Sequence, residues 1–142
     1  MLHLELASLY FENPIGRLYA HADGYIIVDF KAGPRDRQAH QAFLTHLENL
    51  MKSRGWNKMI ANQRLMAPYT EEERQWIKDQ WLIVSHAIQK EMVAAVLLPE
   101  DVFARLAMST MMQQAREGAL VYCVFTDGEQ AAAWLKAYTD KK

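Results

Sequence analysis

A chain of 142 residues, 51% of them hydrophobic, can bury one core and is too apolar to stay disordered. Sixteen basic and 17 acidic residues leave a formal net charge of -1, which gives no electrostatic footprint for nucleic acid or for an anionic membrane. The lone cysteine, Cys123, rules out an internal disulfide and suits a reducing cytoplasm. The N-terminus lacks the basic residues and apolar core of a signal peptide, and the longest strongly apolar run, 92–98, is too short for a membrane span. A single soluble, cytoplasmic domain is therefore expected over 1–142.

Leu2, Leu4 and Leu6 alternate with His3 and Glu5, the period of a half-buried strand. Asn13-Pro14-Ile15-Gly16 breaks it, and residues 17–22 resume an extended run. Asp23-Gly24 predicts a hairpin with a type I′ turn, leading into the β-branched and aromatic strand at 25–30. Gly33-Pro34 opens a helix whose apolar face is Ala39, Phe43, Leu47, Leu50 and Met51. Gly55 should stop it, with Trp56 folding back as the contact of a Schellman motif. A short strand at 58–62 follows. Thr70 and Glu73 form a capping box for a second helix that carries Trp76, Ile77, Trp81, Val84 and Ile88. Residues 92–98 read as a buried strand. Glu100 and Asp101 begin a third helix bearing Phe103, Leu106, Met111 and Ala115 and closing near Gly118. Residues 120–125 are the last strand, and Asp127 caps a final helix with Ala131, Trp134, Leu135 and Tyr138.

The expected architecture is α/β. A mixed sheet begins as an antiparallel meander and continues with parallel strands, because whole helices separate the last three and such crossovers are right-handed. About four helices cover it.

Asn62-Gln63-Arg64-Leu65 ahead of an acidic helix start, and Phe125-Thr126-Asp127 ahead of Ala131-Ala132-Ala133-Trp134-Leu135, resemble the STAS-like proteins related to anti-sigma-factor antagonists, in particular stand-alone bacterial versions. The resemblance covers nearly the whole chain and implies a STAS-like fold acting in signalling through protein–protein contacts. The family's phosphorylatable serine lies in an Asp-Ser-(Ser/Gly) stretch. The matching segment, 62–70, has neither serine nor aspartate, and its only aliphatic hydroxyl is Thr70. A phosphate there would face Glu71, Glu72 and Glu73 and compete with the cap, so the phospho-switch is not carried over.

No reactive constellation stands out. His40 and His46 fall on different helix faces, His3, His21 and His86 are scattered, and no metal or other cofactor is expected. Surface or capping roles suit these histidines. Ser85 and His86 are helix neighbours that do not face each other, and Cys123 reads as a small core hydrophobe. Ligands of open α/β sheets gather beyond the carboxyl ends of parallel strands. The loop leaving one such end offers Asn62, Gln63, Arg64, Met66, Tyr69 and Thr70 as a ligand- or partner-binding set. A weaker anion site is Lys31, Arg35 and Arg37 at a helix start. Met108, Met111 and Met112 are further apolar excess, core or interface.

The leading expectation is a non-catalytic binding or regulatory domain docking a protein partner through residues 62–70. An alternative is a carrier of a small apolar, lipid-like ligand in a Met- and Trp-lined pocket between sheet and helices. A third is an enzyme using Arg64, Tyr69 and a carboxylate such as Glu100. A homodimer is the default assembly.

Overall fold

The computed structural model describes residues 4–103 and 115–138. Within them seven strands form one mixed sheet in the order β1-β2-β3-β4-β5-β7-β6. Strands β1 (Ala7–Asn13), β2 (Gly16–His21) and β3 (Tyr25–Phe30) are the antiparallel meander. Strands β4 (Lys58–Asn62), β5 (Met92–Leu97) and β7 (Leu120–Phe125) run parallel to β3 and to one another. Strand β6 (Ala115–Glu117) closes the far edge, antiparallel to β7.

The sheet is covered on both faces. Helices α1 (Arg37–Arg54) and α2 (Glu71–Ile88) are the β3–β4 and β4–β5 crossovers and share one core with Ile26, Val28, Met59, Ala61 and Ala94. Helix α3 (Gly128–Ala137) packs Ala131 and Leu135 on the opposite face against Ile27, Ile60, Val93 and Ala95. Alternate residues of the central strands therefore feed two cores. This is why β3 and β5 read as nearly continuous apolar runs.

Helix ends follow the capping chemistry expected. Asp36 caps α1 by accepting from the Ala39 N–H, so the helix starts three residues beyond Pro34. Gly55 ends it at φ 67°, and the Trp56 N–H donates to the Met51 carbonyl, the long bond of a Schellman motif. Thr70 and Glu73 make the reciprocal capping box of α2. Asp127 caps α3, which is anchored by the Lys58 Nζ donating to the Tyr138 carbonyl at 2.8 Å and by the Tyr138 hydroxyl donating to Glu91.

Four expectations change. The alternation of Leu4 and Leu6 belongs to a 3-10 turn, and the edge strand starts at Ala7, so pairing with β2 overrode the local period. The β2–β3 hairpin does not use a type I′ turn. His21 pairs with Tyr25, and only Gly24, at φ 89°, takes a positive angle, so the loop is three residues, 22–24. The Gly24 N–H donates to the His21 carbonyl, the pattern of a type I turn ending in a glycine bulge. Ala115 is in β6 rather than a helix. Gly118, at φ 61°, is the first of the two central residues of the β6–β7 hairpin, the position a type II′ turn reserves for glycine. Residues 100–103 are helical as expected, whereas Leu106, Met108, Met111 and Met112 lie outside the described residues. Finally, His21 and His40 are buried, each 2% exposed, rather than at the surface.

Candidate functional site

The carboxyl end of β4 delivers the chain into the loop 63–70, and the six residues singled out there divide into four groups. Asn62 is structural. Its Nδ2 donates to Asp29 Oδ1 at 3.0 Å, tying β4 to its register partner on β3, while its Oδ1 accepts from the Arg64 N–H. Arg64 points outward beside Leu65, which is 66% exposed. Gln63, Met66 and Tyr69 turn inward. Thr70 is committed to its capping box.

Behind the loop lies a polar cluster that joins the starts of α1 and α2. Arg35 makes a two-pronged pair with Glu73, Nε to Oε2 at 2.9 Å and Nη2 to Oε1 at 2.8 Å. It also donates to the carbonyls of Ala67 and Pro68 at 2.8 and 3.1 Å. Its guanidinium lies 4.9 Å from the centre of the Tyr69 ring. That ring stacks on His40 and meets Phe30 edge-on, while Trp76 closes His40 from the side. Glu73 further accepts the Thr70 N–H and sits 3.5 Å from His40 Nδ1.

This packing sets the charge states. The Arg35 guanidinium, helped by the Thr70 N–H, holds Glu73 down at about 2. Burial lowers His40 below its ordinary value despite the attraction of Glu73. Burial raises the Tyr69 phenol above its ordinary value, so it stays protonated. A carboxylate beside Tyr69 is thus Glu73, and it is held ionised by an arginine.

The three cations of the expected anion site are drawn to separate carboxylates. Lys31 bonds Glu12 at 2.7 Å, Arg35 bonds Glu73, and Arg37 reaches Glu72 at 3.4 Å. A hollow of about 470 Å³ does lie between the two helix starts, bounded by Pro34, Arg37, His40, Pro68 and Glu72. Its one deeply set cation, Arg35, has four donor contacts occupied by the protein itself.

The second cavity is of similar volume but lined mainly by apolar side chains. A cleft of about 490 Å³ lies between α2 and the sheet. Its floor is Met59 and Ala61 of β4, Ala94 and Val96 of β5, and Leu120, Tyr122 and Val124 of β7. Its roof is Ile77 and Trp81 of α2, and Met66, Tyr69, Leu98 and Pro99 close one end. Two causes create it. Alanines at 61 and 94 keep the floor low beneath α2. The helix itself sits loosely: α1 buries six side chains, whereas α2 buries only Val84 and leaves Trp76, Ile77, Trp81 and Ile88 half-covered. The volume falls within the roughly 300–1,000 Å³ of small-molecule sites, and the cleft extends to the carboxyl ends of β4 and β5, where α/β sheets bind ligands.

The helix periodicity marked Ile77 and Trp81, but the floor residues were legible only as strand residues. Which strand face would lie under the loosely packed helix is a property of the assembled sheet. Cys123 faces away from the cleft, buried, with its thiol raised by burial. Among the described residues no group of three or more histidine, cysteine, aspartate or glutamate side chains is placed to hold a metal ion, and no helix is long and apolar enough to cross a membrane. Compared with protein-family models, curated proteins and solved structures, the chain matches none.

Proposed function

We propose that this protein is a cytoplasmic, non-catalytic binding protein whose site is the apolar cleft between α2 and the sheet, and whose ligand is a small apolar molecule. The observation that carries the reading is the cleft itself: about 490 Å³, walled by aliphatic, methionine and aromatic side chains with a few polar groups at its edge. The polar cluster beside it supports a binding role rather than turnover. Arg35, Thr70 and Glu73 satisfy one another, and the Tyr69 phenol is held in its neutral form. The STAS-like resemblance agrees with a domain that works by binding.

The test is displacement of a fluorescent apolar dye from the purified protein, with Val96→Trp as the blocked control. Val96 lines the cleft and is only partly buried, so a larger ring there fills space that a ligand would use. Saturable dye binding that the substitution abolishes, with the far-ultraviolet circular dichroism unchanged, is the expected result. Dye binding equal in both proteins sinks the proposal.

A second reading, docking of a protein partner through residues 62–70, is favoured by one observation. Leu65 stands 66% exposed beside the exposed Arg64, an arrangement suited to an anchor with a charged rim. The double change Arg64→Ala and Leu65→Ala separates the two readings, since both side chains lie outside the cleft wall. It should leave dye binding intact, whereas a partner docked on the loop would lose affinity.

A further inference from the structure

One imidazole in the polar cluster is only half satisfied. His40 is 2% exposed, and its Nε2 is enclosed with no hydrogen-bond partner among the described residues. Its Nδ1 faces Glu73 Oε2 at 3.5 Å, so the neutral ring keeps its single proton on that side. The charged groups around the ring are held by other partners. Ahead of α1, Asp36 caps the helix, and Arg35 places a guanidinium that repels a further proton on the ring. On α2, Glu73 accepts two bonds from Arg35 and one from the Thr70 N–H. Arg37 and Glu72 pair with each other, exposed, at the rim of the hollow that His40 lines. The remaining titratable neighbour is Tyr69 of the loop 63–70, whose ring lies parallel to His40 with centres 5.7 Å apart. Trp76 of α2 meets the imidazole edge-on at 5.2 Å. A second proton on His40 would go to Nε2, where none of these groups accepts it.

That proton has a consequence for the cleft, because Tyr69 touches both sites. It stacks on His40 and also closes one end of the cleft. A buried imidazolium with an unanswered N–H is relieved by turning out toward water, which takes away the surface on which Tyr69 rests. We infer that His40 is a proton-operated release for the cleft: neutral, it seats Tyr69 and closes the cleft end, and protonated, it leaves Tyr69 loose and the ligand weakly held. The sign follows from burial, which lowers the folded value of His40 below its ordinary 6.5. The opened form, with the ring in water, takes the proton first, so acid favours opening. This rests on the apolar-cleft reading above and adds its regulation.

The test is binding of Nile red, an uncharged apolar dye, to the full chain at about pH 7.5 and about pH 5.5, both above the range in which Glu73 titrates. Affinity should fall severalfold on acidification, by no more than about tenfold per pH unit, with the far-ultraviolet circular dichroism unchanged. His40→Phe keeps an aromatic ring against Tyr69 and should bind the dye equally at both pH values. A second measurement needs no variant. Calorimetry of the unaltered chain in two buffers of different protonation enthalpy should show dye binding releasing protons at the lower pH and none at the higher. Equal affinity at both pH values, a fall that persists in His40→Phe, or binding without proton release at the lower pH each overturns the switch and leaves the cleft reading standing. If the dye fails to bind even at the higher pH, the cleft reading itself falls and the switch with it.

Discussion

Arg35 and Glu73 hold the polar cluster together. The pair is mostly shielded, with side-chain exposures of 9% and 20%, and it joins the starts of two helices to the loop 63–70. Removing one partner leaves the other buried without its counter-charge. Glu73→Gln should therefore cost about 2–4 kcal/mol, read from the midpoint of urea unfolding. Acidification should act in two stages. His40 has a folded value below its ordinary 6.5, so the unfolded chain takes the proton first and stability falls as pH drops below that value. Glu73 has a folded value of about 2 against an ordinary 4.5, so its contribution is fully present above 4.5 and is lost as pH falls from there toward 2. Unfolding titrations across pH should show both slopes. Glu73→Gln should flatten the lower one and His40→Phe the upper one.

The two crossover helices differ in how firmly they are held. Six buried side chains seat α1, whereas α2 has Val84 alone and relies on its capping box and the pair with Arg35. Amide exchange by mass spectrometry should find α1 protected for longer than α2, and a bound cleft ligand should narrow the gap. Thr70→Ala removes the side-chain acceptor of the cap and should destabilise by about 1 kcal/mol in the same urea assay. The first hairpin shows the opposite kind of constraint. A β-carbon on Gly16 would run into the Asp29 carbonyl of the neighbouring strand, so Gly16→Ala should cost about 1–3 kcal/mol although the position is only the first residue of β2.

For the whole molecule, uneven cover of the sheet explains the opening. One face is filled by α1 toward β2 and β3, and the same face loosens toward β5 and β7, where the cleft lies. The other face is sealed by α3, with Ala131 and Leu135 fully buried. A ligand that binds only the folded chain should raise the melting temperature. At about a hundred times its dissociation constant the gain is about 2.7 kcal/mol, or several degrees, and Val96→Trp should abolish the shift while retaining a cooperative transition.

Local chemistry was enough to identify most elements from the chain itself. Strands 58–62 and 120–125, the Gly55 stop, the Thr70–Glu73 box and the Asp127 cap are set by residues close together in sequence, whose backbone hydrogen bonds and side-chain periods need no distant partner. The α/β class and the mixed sheet followed from their order. Where the reading departed from the structure, distant pairing decided. Strand β6 exists because β7 lies beside it, and Leu4 and Leu6 lost their strand to the register that β2 imposes on β1. Residues 62–70 were recognisable as a loop at a strand end, but not that Arg35 would be spent on Glu73 or that Tyr69 would wall an apolar cleft. Those outcomes depend on side chains 38 and 34 positions apart meeting in space, and on how tightly one helix settles on a sheet, which only the tertiary fold decides.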